Sequence, residues 1–205
     1  MGKRILILKA CGTLDEPHEC NGLCAQAELY GIEHVCKCVR NNDELKDVLS
    51  SNGQFDYIYL SAHGDSDGFG SDDGIVNMDW PVFAELLCSS SCMTDDSVLM
   101  LSCCRGGLMN VAYDMFLTCE HICYVLGPRQ SLTSADMHIC FGIFLYNTEI
   151  RGLDPVAACE KIKMATDQRF SCYDREEESI NLMYYSDYLE SLAKKAQEEK
   201  EKKKE

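Results

Sequence analysis

The feature that most restricts the fold of this chain is an order that repeats along it. A short apolar run is followed by a stretch with helical spacing, and then by another apolar run. Residues 3–9 (KRILILK), 34–39, 55–61 (FDYIYLS), 97–101 (SVLML) and 122–126 (ICYVL) each suit a buried strand. Between them, 20–30 places Leu23, Ala27 and Tyr30 on one helical face and ends at Gly31. Residues 44–51 follow a capping Asn42 or Asp43, and 81–88 follow Asp79 with Pro81 in the first turn. Residues 107–119, 134–151 and 155–168 read as further helices, and 62–74, with four glycines and four aspartates, as a loop.

This alternation specifies an α/β fold: a mostly parallel sheet of five to six strands in three layers, with helices on both faces. Right-handed crossovers put the C-terminal ends of the strands on one edge, where sites of such folds lie. Function is therefore expected in loops 10–18, 62–74, 102–107 and 127–134. Residues 1–172 are expected to form this domain. Residues 173–205 are expected to form an amphipathic helix carrying Ile180, Met183, Tyr184, Leu189, Leu192 and Ala196, with a charged, low-complexity end.

Charge and cysteine content narrow the function. A formal net charge of -15 repels phosphate backbones and argues against a nucleic-acid partner. No stretch reaches the ~18 apolar residues of a membrane span, and the apolar run after Met1-Gly2-Lys3-Arg4 is too short for an export signal. The 14 cysteines are thus expected to be reduced, in the cytoplasm, and mostly to act as small buried hydrophobes.

Two strand ends carry chemistry. The third strand runs into Leu60-Ser61-Ala62-His63-Gly64, the fourth into Leu101-Ser102-Cys103-Cys104-Arg105-Gly106-Gly107. Each is an apolar strand ending in a reactive residue and then glycine. Neighbouring parallel strands would bring the imidazole and the thiol to one edge. An imidazole can take the proton of a thiol and leave the nucleophilic thiolate. Glycine lets backbone N–H groups approach a substrate and donate to an oxyanion.

A His-Gly strand end followed by a Cys-Arg-Gly strand end resembles the caspase-like (caspase-hemoglobinase, clan CD) cysteine peptidases. Their caspase members carry Gln-Ala-Cys-Arg-Gly with the histidine ~50 residues upstream; here His63 precedes Cys104 by 41 positions. The short motifs are most similar to bacterial CHAT-type proteins, whose strands end Ser-Ala-His-Gly and Ser-Ala-Cys. The resemblance covers about residues 3–168. It implies a cysteine endopeptidase acting on a protein or peptide without a cofactor or metal. Cys104 would be the nucleophile and His63 the general base and acid, with the N–H groups of Gly64 and Cys104 as the oxyanion hole. Strand alternation turns Cys103 away from that site.

The chain also departs from the pattern. Ser102 stands where caspases carry glutamine and metacaspases often aspartate, so the usual clue to the residue before the cut is missing. Asp65, Asp67, Asp72 and Asp73 could line a subsite for a basic residue, although such Asp-Gly loops are also good turn formers. Arg129 could instead read an acidic one. Only 105–121 separate the fourth and fifth strands, and the first strand starts near Lys3. Activation by a partner or ligand, rather than by internal cleavage, is therefore expected.

Three other readings are open to the same residues. His18, Cys20, Cys24, His34, Cys36 and Cys38 offer zinc-ligand spacings, but alternation along the strand favours core thiols. A non-catalytic caspase-like scaffold has no need of both motifs. A flavodoxin-like receiver or phosphatase would need a first-strand acid pair or a phosphate loop, for which Ala10-Cys11-Gly12 is a weak match.

Overall fold

In the computed structural model, which describes residues 2–51 and 53–202, the apolar runs become strands of one sheet. Chain order is β1 (Arg4–Lys9), α1 (Glu16–Leu29), β2 (Glu33–Cys38), α2 (Asn42–Ser51) and β3 (Phe55–Ser61). A small three-stranded unit follows: β4 (His63–Gly64), β5 (Gly68–Gly70) and β6 (Asn77–Asp79). Then come α3 (Trp80–Ser90), β7 (Met93–Ser102), α4 (Met109–Thr118), β8 (Ile122–Pro128) and α5 (Ser134–Leu145). A π-helical turn (Tyr146–Ile150), α6 (Pro155–Thr166), β9 (Phe170–Asp174) and α7 (Ser179–Lys202) complete the chain.

The main sheet has the order β2-β1-β3-β7-β8-β9, parallel except for β9, which pairs antiparallel with β8. Its strands read as continuous apolar runs because both faces are covered. Ile5, Ile7, Tyr57, Tyr59, Val98 and Met100 pack in the core layer shared with α1, α5 and α6. Leu6, Leu8, Ile58, Leu60, Leu99 and Leu101 alternate with them into the layer shared with α2, α3 and α4. Trp80 anchors this second layer, fully buried, with its indole N–H donated to the Asp65 carbonyl at 3.1 Å.

Several elements differ from the sequence expectation for identifiable reasons. Helix α1 begins at Glu16, not near Cys20, because the Glu16 carboxylate turns inward to accept the amides of Cys11 (2.7 Å) and Gly12 (2.9 Å). The span 62–74 is not wholly a loop: it holds β4 and β5. The helix expected over 134–151 loosens after Leu145 into the π-helical turn, where the Thr148 hydroxyl bonds back to the Phe144 and Leu145 carbonyls. Strand β9 is absent from the sequence expectation. Helix α7 lays Leu182 and Tyr185 against the α2–α4 side, and Ile180, Met183 and Tyr184 remain exposed. Residues 203–205 of the charged end lie outside the described residues.

Arg175 fastens the turn between β9 and α7. Its guanidinium donates to the carbonyls of Ile122 (2.8 Å), Phe116 (2.6 Å) and Cys119, and lies 4.9 Å from the Phe116 ring centre. Three carbonyls at the end of α4 and the start of β8 thus converge on one side chain, the Cys119 carbonyl also accepting the Ile122 amide at 3.4 Å. Arg175→Ala is expected to cost about 2–4 kcal/mol by removing these charge-assisted hydrogen bonds and the packing on Phe116, read as a fall in the urea midpoint at unchanged slope.

Candidate active site

Strands β3 and β7 are neighbours in a register that sets Ser61 opposite Ser102. Both chains therefore leave the sheet at the same height, and the Ala62 amide donates to the Ser102 carbonyl (3.3 Å). Beyond this point β4 pairs with β5, His63 opposite Gly70 and Gly64 opposite Phe69. The pairing fixes the backbone that carries the imidazole.

The Cys104 turn is held by close backbone contacts. The Gly106 amide donates to the Cys103 carbonyl (3.0 Å), and the Gly107 amide to Pro128 (2.9 Å). Arg105 adopts the left-handed region at φ 63°. A Cβ on Gly64 would stand 2.8 Å from the Cys103 Cβ and 3.1 Å from the Cys104 carbonyl oxygen. Only a residue without a side chain lets the two strand ends touch there.

His63 and Cys104 line one cleft of about 280 Å³, together with Cys11, Glu19, Ser102 and Ser134. The imidazole side chain is half exposed, and Cys104 is half buried. Among the described residues the Cys104 N–H has no acceptor, so it is free to donate. Cys103 lies wholly inside, its thiol donating to the Leu60 carbonyl at 3.6 Å. Burial pushes that thiol well above its ordinary range. It is a core residue.

Two buried acids of α1 were not anticipated from the sequence. Glu19 accepts hydrogen bonds from Tyr59 (2.6 Å) and Ser102 (2.7 Å) at the wall of the cleft. Burial raises its pKa, while the Tyr59 and Ser102 hydroxyls pull in the other direction. Glu16 holds the β1–α1 turn as described above. The signal was present: positions 16, 19, 20, 23 and 27 share one helical face, with Cys20, Leu23 and Ala27 fully buried. Helix α1 is itself locked against α5, for the His138 ring sits where a Cβ on Gly22 would be.

The aspartates of 62–74 separate into different roles. The Asp65 carboxylate accepts the amides of Asp67 (2.8 Å) and Gly68 (3.1 Å), closing its own turn. Asp65 and Asp67 line a second opening on the other side of His63, apart from the cleft that holds Cys104. Asp72 lies 3.5 Å from His63 Nε2. Arg129 is exposed and does not line the cleft; its amide donates to the Arg169 carbonyl at 2.8 Å. Among the described residues, no group of three or more His, Cys, Asp or Glu converges to hold a metal ion.

No family model matches this chain, and no curated protein matches it. Among solved structures it is similar to a secreted C11 cysteine protease from Bacteroides thetaiotaomicron, iotapain. The TM-score is 0.63 at 8% identity, over 86% of this chain and 67% of that chain. The mostly parallel six-stranded sheet flanked by helices is the caspase-like fold. At 8% identity the likeness speaks to the fold, and the site rests on its own geometry.

Proposed function

We propose that this protein is a cysteine endopeptidase that hydrolyses peptide bonds with a His63–Cys104 dyad. One observation carries the reading. The imidazole and the only thiol of the Cys103-Cys104 pair that reaches the surface line the same cleft. The tight backbone contact at Gly64 supports it by holding their strand ends together. In the reaction His63 accepts the thiol proton, the thiolate adds to the scissile carbonyl, and the Gly64 and Cys104 amides hold the oxyanion. The imidazolium then protonates the leaving amine, and water hydrolyses the acyl-enzyme. The likeness to CHAT-type proteins belongs to this proposal and rests on the two strand-end motifs.

A peptide carrying an electrophilic group at the scissile position tests the dyad. Labelling is expected on Cys104, lost in Cys104→Ala and His63→Ala. A bare alkylating agent would not serve, because Cys38 is also exposed. Labelling that survives Cys104→Ala would overturn the assignment.

Glu19 favours a basic residue before the cut, since an entering cation would replace the hydration that burial removes from the carboxylate. Ser102, hydrogen-bonded to it, forms part of the same wall. Because burial raises the Glu19 pKa, the preference for Arg or Lys over a neutral residue should weaken as pH falls through that raised pKa, and strengthen as pH rises above it. Glu19→Gln is expected to flatten that dependence and to lower the kcat/KM ratio by about tenfold, the loss of one charge-assisted contact. A ratio unchanged in Glu19→Gln would remove Glu19 from substrate selection.

Activation by a partner or ligand remains part of the proposal. Helix α4 takes up most of the 105–121 segment, which leaves little free chain for a processing cut. A reducing, cytoplasmic setting suits 14 unpaired cysteines. No described helix is long and apolar enough to cross a membrane.

A further inference from the structure

We propose that Asp72 is a positioning residue for His63: its carboxylate accepts a hydrogen bond from Nε2–H, which keeps the proton on that nitrogen and leaves Nδ1 as the base for the Cys104 thiol. The inference rests on the peptidase reading and adds a third group to the dyad.

The neutral imidazole has one N–H and one lone pair, and the partner of one nitrogen decides what the other can do. Asp72 Oδ1 stands 3.5 Å from His63 Nε2. That is an ion-pair separation, longer than a formed hydrogen bond. Unliganded sites commonly show such loose contacts and tighten once substrate is bound.

The position of Asp72 is built, not incidental. The segment 71–76 closes on itself: the Ser71 amide donates to the Val76 carbonyl (2.9 Å) and the Val76 amide to the Ser71 hydroxyl (2.9 Å). The Asp73 carboxylate accepts the Ser71 hydroxyl (2.6 Å) and the Ile75 amide (3.0 Å), and Gly74 takes the left-handed φ of 72°. Val76 is fully buried beneath this tip. The Asp72 amide donates to the Cys11 carbonyl at 2.7 Å, which ties the tip to the turn that follows β1.

The other acids near His63 are engaged or elsewhere. Asp65 holds its own turn, Asp67 takes the Ser66 hydroxyl at 3.1 Å, and Glu19 takes Tyr59 and Ser102. Asp15 and Asp79 line the openings beside His63 without forming an ion pair with it. Among the described residues, Asp72 is the carboxylate within ion-pair reach of His63. During the reaction the Cys104 Sγ proton moves to Nδ1; the resulting imidazolium keeps Nε2–H against Asp72, and no other bond changes.

The test combines kinetics with nitrogen NMR of histidine-labelled protein. Both partners are substantially exposed, so the effect is bounded: Asp72→Asn should lower kcat by about fivefold to tenfold, with KM changed less than about twofold. Asp72→Glu should recover part of the loss. The His63 resonances should report the Nε2-protonated tautomer in the parent and a mixture in Asp72→Asn. A kcat equal to that of the parent, a loss confined to KM, or an unchanged tautomer population would overturn the proposal. If the parent shows neither hydrolysis nor probe labelling, the peptidase reading falls, while the tautomer measurement still decides whether Asp72 governs His63.

Discussion

His63→Ala is expected to lower kcat/KM for a peptide substrate by about 10³-fold or more, while the folded protein and its thermal midpoint stay close to those of the parent. General acid–base catalysis contributes about 10²–10⁴-fold. Here the same imidazole would generate the thiolate and protonate the leaving amine, so both half-reactions suffer. Stability should hardly change because the side chain is half exposed and fills no core. Cys104→Ala should abolish turnover to the same floor, and the double variant should be no worse than either single one, as for residues acting as a unit. Cys103→Ala separates the chemistry from packing. Its thiol is enclosed and bonded to the Leu60 carbonyl, so its loss should cost stability and spare kcat/KM. Turnover lost in Cys103→Ala but retained in Cys104→Ala would exchange the two assignments.

The largest structural effect is expected from Gly107→Ala. A Cβ there would lie 1.9 Å from the Gly127 carbonyl oxygen and 2.4 Å from its carbon. No rotamer relieves this, because the obstacle is backbone on both sides. Gly127 is equally constrained, its own Cβ position being 2.7 Å from the Gly107 amide nitrogen. The turn after β7 and the end of β8 would have to separate and break the Gly107-to-Pro128 hydrogen bond. A cost above about 3 kcal/mol follows from overpacking together with a lost buried hydrogen bond. Chemical denaturation measures it directly. Since Cys104 sits three residues away on the same turn, peptide hydrolysis should be lost even where the variant still folds. A Gly107→Ala protein with parental stability and activity would show that the two glycines do not need this close approach.

This pair of glycines shows how differently parts of the site can be read. From the motif alone, glycine after Cys-Arg reads as freedom for an oxyanion donor. In three dimensions Gly106 and Gly107 chiefly let the turn lie against Leu101 and Gly127. Composition and spacing carry no information about which distant residue occupies the space that a missing side chain leaves.

The acids tell a similar story. Glu16 and Glu19 are hidden in sequence because a carboxylate is expected to face water, so the apolar face of α1 seems to begin at Cys20. Their partners are the amides of Cys11 and Gly12 and the hydroxyls of Tyr59 and Ser102. Only when the chain folds so that Glu19 meets Ser102, 83 positions further on, does that burial become affordable. Asp65 and Asp72, seven residues apart and indistinguishable by local pattern, part ways for the same reason. One closes a turn and the other faces His63.

What the sequence determined by itself is what short-range physics can encode. Apolar runs of strand length alternating with helical spacing require a covered parallel sheet. Consecutive strands ending in His63-Gly64 and Cys104-Arg105-Gly106 bring those residues to one edge of it. The tertiary structure alone decided the antiparallel edge strand β9, the inward turn of Glu16 and Glu19, the hairpin tip that delivers Asp72, and the fit of Gly107 against Gly127. Each of these depends on a partner far away in the chain. The free energy that fixes them comes from contacts formed after the sheet has closed, and no window of neighbouring residues contains it.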